Sequence, residues 1–310
     1  MKGVVRVRVS GRGHGSGWKM RMLVTGSDGL VGTNILPYLA KEFEVIPSVE
    51  SQWDITRPEQ SESIIQDSRP HVLLNLAAMT DVDGCEDNQE AAFLVNGEAP
   101  GMLAGICARQ GIHMIQVSTD YVFDGRKGAP YTEEDATNPL SVYGRSKRLG
   151  EERVKASLPT AAILRTEWIY GKGGANFITK VVKAAREKGS VQVVDDQIGA
   201  PTYAQDLCRP VAELARGRRQ GIYHVTNSGS CTWYGFAKHI FSFLRIDIPC
   251  TPVSSGTYGR KAARPAYSVL DCGRLAADAG IRMRSWQEAV EEYLTDHESN
   301  IFLGRPPDRQ

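Results

Sequence analysis

The chain has few of the features that mark secreted, membrane or metal-binding proteins. Its six cysteines are widely spaced and include no C-x-x-C pair, which favours buried thiols in a reducing cytoplasm over a disulfide framework. The six histidines also lack the spacing of metal ligands, so no metal site is predicted. No apolar run approaches membrane-spanning length. A net charge of +1 indicates neither a nucleic-acid nor a membrane partner.

The first 21 residues differ in composition from the rest of the chain. They contain six basic residues and no acidic residue, and they lack the continuous apolar segment of a signal peptide. We therefore predict a basic, glycine-rich extension over residues 1–21 that is disordered, and we assign it no function.

A glycine-rich turn follows the first apolar segment. Met22–Thr25 has the length of a strand and leads directly into Gly26-Ser27-Asp28-Gly29-Leu30-Val31-Gly32, after which apolar residues recur at helical spacing. Glycines between a strand and a helix let the backbone approach a pyrophosphate, which then rests on the helix N-terminus. The spacing is G-x-x-G-x-x-G, and in this context it predicts a dinucleotide site.

A tyrosine and a lysine four residues apart give a second indication of chemistry. Tyr143 and Lys147 would share one face of a helix, where an ammonium can favour the ionised form of a phenol. Such a tyrosine can pass a proton to a carbonyl oxygen. The pair predicts a reductase, although an exposed Tyr/Lys pair on a solvated helix has the same spacing.

Strand-like and helix-like segments alternate along the chain, which predicts an α/β fold with a doubly wound, Rossmann-type parallel sheet. We expect a dinucleotide-binding core over residues 22–165. A smaller, mainly C-terminal substrate-binding lobe should span 166–310, with some segments returning to the sheet. The predicted strands are Met22–Thr25, Phe43–Val49, Val72–Leu76, Met114–Ser118, Ala162–Arg165, Val191–Val194 and Tyr223–Val225. Residues 249–265 are predicted to form a long irregular loop.

Several motifs together carry a family resemblance. They are Gly26-x-x-Gly29-x-x-Gly32, Asn75-Leu76-Ala77-Ala78, Ser118-Thr119-Asp120-Tyr121-Val122-Phe123, Tyr143-Gly144-x-x-Lys147, Arg165-Thr166-x-Trp168 and Asp196-Gln197-x-Gly199-Ala200-Pro201-Thr202. In combination they resemble the dTDP-4-dehydrorhamnose reductases, within the extended short-chain dehydrogenase/reductases. The resemblance runs from Met22 to about Leu294.

The resemblance implies a reduction of a dTDP-linked 4-keto-6-deoxy sugar by NADPH or NADH. Tyr143 would be the general acid, Lys147 would lower its pKa and hold the cofactor ribose, and the Thr119 hydroxyl would orient the substrate oxygen. The residues expected around the cofactor are Gly26, Asp28, Gly29, Leu30, Val31, Gly32, Asp54, Ile55, Ala77, Ala78 and Asn96. Those expected around the substrate are Thr119, Asp120, Trp168, Asn176, Gln197, Thr202 and Arg264. A homodimer is compatible with the resemblance.

Two other functions remain open at this stage. The regulatory subunit of methionine adenosyltransferase resembles the chain around Asp120–Gly125, which would make the protein a non-catalytic dinucleotide-binding module. A sugar-nucleotide dehydratase or epimerase is the second alternative. Dehydratases of this superfamily place a glutamate after the aspartate that follows the catalytic threonine, whereas here Asp120 is followed by Tyr121.

Overall fold

Six parallel strands form the central sheet of the computed structural model, which describes residues 18–303. The strands within that range are β1 (Arg21–Thr25), β2 (Glu44–Pro47), β3 (Val72–Asn75), β4 (His113–Thr119), β5 (Ala162–Thr166), β6 (Ile169–Tyr170), β7 (Val191–Val194), β8 (Ile198–Gly199), β9 (Thr202–Tyr203), β10 (Gly221–His224), β11 (Cys231–Thr232) and β12 (Cys250–Val253). The central sheet has the order β10-β5-β4-β3-β1-β2. The predicted α/β fold with a parallel sheet is confirmed.

Helices cover both faces of this sheet and build the rest of the molecule. They are α1 (Leu30–Glu42), α2 (Pro58–Ser68), α3 (Val82–Asp87), α4 (Gln89–Phe93), α5 (Ala99–Gln110), α6 (Val142–Ser157), α7 (Phe177–Lys188), α8 (Cys208–Arg216), α9 (Trp233–Phe243), α10 (Gly273–Ala279) and α11 (Trp286–Leu303). A π-helical turn, Leu94–Glu98, joins α4 to α5. The stretch Gln89–Gln110 is long and apolar enough to cross a membrane, but more than half of its apolar 18-residue window is buried in the protein and it packs on α6, as a core helix does.

Neighbouring residues of the central strands contribute to two separate cores. Met22 and Val24 pack with α1 and α8 on one face, whereas Leu23 packs with α2 and α5 on the other. Successive side chains of a strand point to opposite faces, so a strand buried on both sides is apolar throughout. This explains why the strand runs in the sequence show no polar alternation.

A third core lies outside the sheet and belongs to the C-terminal half. Tyr170, Tyr203, Phe236 and Trp286 pack there with apolar residues of α7, α9 and α11. The predicted strand Val191–Val194 forms here and pairs with β12, so it is not part of the central sheet. The expected irregular loop therefore begins with a strand. β10 comes from this half of the chain but extends the central sheet beside β5.

Most of the predicted basic extension, residues 1–17, lies outside the described residues. Of its remaining part, Lys19 donates to the carbonyl oxygens of Ala40 and Lys41 at 3.2 and 2.8 Å, and Arg21 begins β1.

Candidate active site

A cleft of about 890 Å³ lies at the carboxyl ends of the central strands. It is bordered by the turn after β1, by the ends of β4 and β5, and by the first turns of α6. β2 lies on one side of β1 and β3 on the other, so strand order reverses at this edge. Open parallel sheets bind ligands where the order reverses. The cleft is therefore the candidate active site.

The glycine turn forms one end of the cleft. Gly26 has a φ of +60°, and a Cβ there would lie 2.9 Å from the backbone nitrogen of Ala77. Gly29 begins α1 without a side-chain cap, and the first turn of α1 has no acidic residue. The N–H groups of that turn are thus free of side-chain acceptors and fit an anionic pyrophosphate. The residues of this turn that line the cleft are Gly26, Asp28, Gly29, Leu30 and Val31.

Gly32 supports the turn from behind. It does not line the cleft, but a Cβ there would lie 2.3 Å from the carbonyl oxygen of Ser27. Gly32→Ala should therefore push α1 away from the turn, lower the free energy of unfolding by about 1–3 kcal/mol and weaken dinucleotide binding. Urea denaturation and calorimetric titration with NADPH measure the two effects.

Gly105→Ala is the matched control for that substitution. Gly105 lies in the interior of α5, and the nearest atom to its Cβ position is the Arg109 Nη1 at 3.8 Å. The added methyl group should leave dinucleotide binding unchanged and raise stability by up to about 1 kcal/mol. Equal changes in unfolding free energy and dinucleotide affinity in the two variants would contradict the role given to Gly32.

Asp54 and Ile55 line the cleft beyond the glycine turn, together with Glu50. The Asp54 carboxylate accepts from the backbone N and the hydroxyl of Thr56 at 3.0 and 2.6 Å, and these hydrogen bonds hold its pKa below the ordinary value. Asp54 therefore fixes its own loop, while Ile55 and the exposed Glu50 offer an apolar surface and a carboxylate to an adenosine.

Ala77 and Ala78 form the floor between the two ends, and Asn96 holds them in place. Asn96 is buried on the π-helical turn and does not line the cleft. Its amide accepts from the backbone N of Met79 and donates to the same residue's carbonyl oxygen, both at 2.9 Å. A third bond goes to the Ser146 hydroxyl at 3.1 Å. Asn96 thus ties the floor to α6, and we expect it to position the cofactor path without touching it.

Thr119, Tyr143 and Lys147 meet in the middle of the cleft. Thr119 ends β4, while Tyr143 and Lys147 lie in the first two turns of α6, which Ser141 caps by accepting from the backbone N of Gly144 at 3.1 Å. The Thr119 hydroxyl hydrogen-bonds the Tyr143 phenol. The structure therefore brings all three predicted catalytic residues together.

Burial controls the protonation of this group. It raises the pKa of the Tyr143 phenol above its ordinary value, and the Thr119 hydrogen bond opposes the shift only in part. It also lowers the pKa of Lys147 to about 8, against the attraction of Glu151. The Lys147 ammonium donates to the carbonyl oxygen of Val117 at 2.7 Å. The expected lowering of the tyrosine pKa is not met, because burial of the phenol is the largest cause of its shift.

A buried ion pair supports the catalytic residues from below. Arg165 donates from Nε and Nη2 to the two carboxylate oxygens of Glu151 at 2.8 and 2.6 Å. The Ser118 hydroxyl adds a bond of 2.6 Å to the same carboxylate. Glu151 lies on α6 one turn beyond Lys147, and Ser118 precedes Thr119, so this pair joins the helix to the strand ends.

Two acidic side chains border the substrate end of the cleft. Asp120 and Glu167 are each 2% exposed, and both line the cleft. Burial, the largest cause in both cases, raises the pKa of Asp120 to about 6. It raises the pKa of Glu167 well above the ordinary value. Among residues 18–303, no group of three or more His, Cys, Asp or Glu side chains is placed to hold a metal ion.

Trp168 provides the flat apolar surface predicted for the sugar. It lines the cleft and stacks on Trp233, with ring centroids 3.5 Å apart and an angle of 7° between the planes. Its φ of +46° lies in the left-handed region, which is energetically unfavourable for a residue other than glycine. Gly199 packs against the indole, since a Cβ there would lie 2.5 Å from Trp168 Cε2.

Four further residues predicted to contact substrate do not line the cleft. Asn176 caps α7 and donates to the carbonyl oxygen of Gly171 at 2.9 Å. Thr202 donates to the Ala200 carbonyl oxygen at 3.1 Å, and Gln197 is buried. The hydrogen bonds of Asn176 and Thr202 support loops of the lobe. Substrate contact by Asn176, Gln197 and Thr202 stays a prediction, and none of the three side chains lines the cleft.

Arg264 is the fourth of these residues. Its guanidinium pairs with Asp83 on α3, with Nη2 to Oδ2 at 2.9 Å and Nη1 to Oδ1 at 3.2 Å, and it also interacts with Tyr121. Because Tyr121 lines the cleft, Arg264 lies directly behind that wall. A diphosphate could reach it only by competing with Asp83.

Sequence reasoning did not identify Glu167 as a residue of the cleft. A signal for Glu167 was present, because Thr119 and Thr166 are register partners at the ends of adjacent strands. The residues that follow them, Asp120 and Glu167, must then emerge side by side. Trp233 both packs and lines the cleft.

The chain matches the family model described as the RmlD substrate binding domain over residues 20–299. It is 40% identical over 280 residues to the spore coat polysaccharide biosynthesis protein SpsK of Bacillus subtilis, a match that covers 90% of this chain and 98% of that one. It is also 40% identical over 280 residues to the dTDP-4-dehydrorhamnose reductase of Streptomyces griseus, covering 88% and 92% of the two chains.

A solved structure gives the same result. The dTDP-4-dehydrorhamnose reductase of Bacillus anthracis in complex with NADP aligns with a TM-score of 0.87 and 35% identity. The alignment covers 90% of this chain and all of that one. The match therefore includes both the glycine turn and the C-terminal half.

Proposed function

Because the chain belongs to the dTDP-4-dehydrorhamnose reductase family, we propose that it reduces the 4-keto group of dTDP-4-dehydrorhamnose to give dTDP-L-rhamnose, with NADPH or NADH as reductant. The observation that carries the proposal is the content of one cleft. It contains an anion-binding glycine turn at one end, and Thr119, Tyr143 and Lys147 in its middle.

The bound nicotinamide supplies the hydride, and the chain supplies the proton. Tyr143 is the general acid that protonates the oxygen at C4. A general acid must carry its proton at the working pH, as the buried Tyr143 phenol does. When the sugar is bound, the Thr119 hydroxyl turns its proton from Asp120 Oδ1 to the same oxygen and orients it. Lys147 adds positive charge that stabilises the oxygen as charge develops there.

The cofactor is held by main-chain groups at its centre and by side chains at its ends. Gly26, Gly29 and the first turn of α1 bind the pyrophosphate. Ile55 would contact the adenine, Ala77 and Ala78 would leave room for the nicotinamide half, and Lys147 would hold its ribose. Glu50 lines the adenosine end, where its carboxylate suits ribose hydroxyls. The chain is compatible with either NADPH or NADH.

The sugar lies against Trp168, with Thr119 and Asp120 as polar partners. Trp233 holds the indole flat by stacking on it. The diphosphate draws Arg264 toward the cleft. Asn176, Gln197 and Thr202 act by shaping the lobe. We also propose that the enzyme works in the cytoplasm, where its cysteines, all free among the described residues, remain reduced.

The alternatives differ from a reductase at specific positions. A dehydratase needs a second acid directly after Asp120 to expel water, and Tyr121 stands there with a pKa raised by burial. A non-catalytic dinucleotide-binding subunit has no use for a phenol, a hydroxyl and an ammonium that meet beside the cofactor groove.

A cofactor-oxidation assay tests the proposal. The purified protein is mixed with NADPH or NADH and with dTDP-4-dehydrorhamnose, dTDP-4-keto-6-deoxy-D-glucose or a UDP-linked 4-keto sugar. We expect oxidation to be fastest with dTDP-4-dehydrorhamnose. Tight dinucleotide binding without reduction of any of these sugars would favour the binding-subunit alternative.

A further inference from the structure

Asp120 and Glu167 are adjacent because of the sheet register. Thr119 and Thr166 are partners in the parallel pair of β4 and β5, and each acid directly follows its threonine. Both side chains are buried, which is costly for two carboxylates so close that the charge of Asp120 raises the pKa of Glu167. The sheet places them there, and a chain under no functional demand could avoid the cost with an amide at either position.

A continuous chain of hydrogen-bonding groups connects these acids to the general acid. The Thr119 hydroxyl interacts with the Tyr143 phenol and donates to Asp120 Oδ1 at 2.9 Å. The Ser268 hydroxyl donates to Glu167 Oε2 at 3.3 Å and is close enough to Asp120 to lower the pKa of that carboxyl group. Every link is a hydroxyl or a carboxyl group, and each can both accept and donate a proton when the pair is singly protonated.

The surroundings favour a proton on this pair. Asp120 Oδ2 is buried without a hydrogen-bond partner among the described residues, so it lacks the donors that a carboxylate needs. The carboxyl groups also repel each other when both are charged, which adds to the effect of burial on the pKa of Glu167. At neutral pH the pair therefore retains a proton.

We propose that Asp120 and Glu167 together store the proton that restores Tyr143 to a phenol after each turnover. The inference rests on the proposed function. When Tyr143 has given its proton to the substrate oxygen, the phenolate takes the Thr119 hydroxyl proton. Thr119 in turn takes the single proton of the pair from Asp120, to which Ser268 passes it when it rests on Glu167. The pair ends one proton poorer and recovers it from water when product leaves.

The phenols, thiols and arginine around the pair do not change charge between pH 5 and 8. The neutral groups that face it are Tyr121, Tyr143, Cys231, Tyr267 and Cys272, whose pKa values are all raised by burial. Arg264 stays positive beside Tyr121. Lys147 is the one nearby group described here with a pKa close to this range, at about 8. Because the wild-type protein and the variants share Lys147, the ratio of variant to wild-type rate at each pH reports on the pair.

Glu167→Gln tests the proposal by removing the stored proton while preserving shape. The first turnover uses the proton already on Tyr143, so its rate at pH 7.5 should stay within about 2-fold of wild type. Later turnovers need the relay, and steady-state kcat should fall about 10-fold or more, which gives a burst of one product per site. The loss of kcat should shrink to about 2-fold at pH 5.5, because Asp120 is then protonated even without Glu167.

Two further variants separate a relay from a structural role. Ser268→Ala interrupts the bridge and should also give a burst. Thr166→Val, beside Glu167, removes a buried hydroxyl that has no partner within the described chain, and should give no burst. Equal loss in the first and later turnovers at every pH would show a structural role and overturn the proposal, as would wild-type kcat in Glu167→Gln.

An infrared measurement gives an answer that does not depend on turnover. The wild-type protein should show the C=O stretch of a protonated carboxyl group at pH 7.5, and Glu167→Gln should lose it. Absence of that band in wild type would refute the stored proton even if a variant is inactive. If wild type itself reduces no 4-keto sugar, the proposed function fails, and the infrared result still decides whether the pair holds a proton.

Discussion

Tyr143→Phe should lower kcat by about 10²- to 10⁴-fold, the usual contribution of a positioned general acid. The substitution removes one hydroxyl whose interaction in the protein is with Thr119. The ring stays in contact with Tyr121, at a centroid distance of 5.7 Å. Dinucleotide affinity should therefore change by less than about 3-fold, a free-energy difference below a single hydrogen bond. Steady-state kinetics and calorimetric titration with NADPH measure both quantities.

Tyr121→Phe is the matched control for this prediction. It makes the same chemical change in the same cleft, at a phenol that faces Arg264 and not the Thr119 hydroxyl. Its loss of kcat should stay below about 10-fold, since it removes no proton donor to the substrate. A folded Tyr143→Phe variant with near-normal kcat, or equal losses in the two variants, would contradict the assignment of Tyr143.

Arg165→Met should lower the free energy of unfolding by about 3–5 kcal/mol, the cost of leaving one member of a buried ion pair without its partner. Arg165 and Glu151 are 2% and 3% exposed. Removal of the guanidinium leaves a buried carboxylate whose remaining donor is the Ser118 hydroxyl at 2.6 Å. Because Glu151 lies one turn from Lys147, the same variant should also lower activity. Urea denaturation measures the first effect.

Arg109→Met is the control at an exposed arginine–glutamate pair with a similar N–O distance. Arg109 Nη2 lies 2.7 Å from Glu62 Oε2, but the two side chains are 59% and 47% exposed. Water screens this pair, so the loss should stay below about 1 kcal/mol. If both arginine variants lost the same stability, burial would not be what makes the Arg165 pair important.

The dinucleotide half of the site could be predicted from local sequence because its chemistry is local. The strand β1, the glycine turn and α1 are contiguous, and main-chain N–H groups provide the binding. Tyr143 and Lys147 are also neighbours on one helix. Each inference needed only the geometry of a single element, and the structure brings these residues into one cleft.

The substrate half was predicted less well because its contacts join distant segments. Motif resemblance did not separate residues that face the cleft from those that hold loops, as Asn176 shows by capping α7. Arg264 is paired with Asp83, a residue 181 positions away. The Tyr143 pKa was misjudged for a related reason, because burial is a property of the whole fold and cannot be read from a four-residue spacing.

Transfer of deuterium tests the central claim most directly. The protein is mixed with dTDP-4-dehydrorhamnose and with NADPH in which deuterium replaces both hydrogens at C4 of the nicotinamide. If the enzyme is the reductase proposed here, dTDP-L-rhamnose should form with one deuterium, located at C4 of the sugar, in amounts equal to the NADP⁺ produced. Recovery of unchanged sugar nucleotide from protein that binds NADPH, or a product without deuterium at C4, would contradict the account.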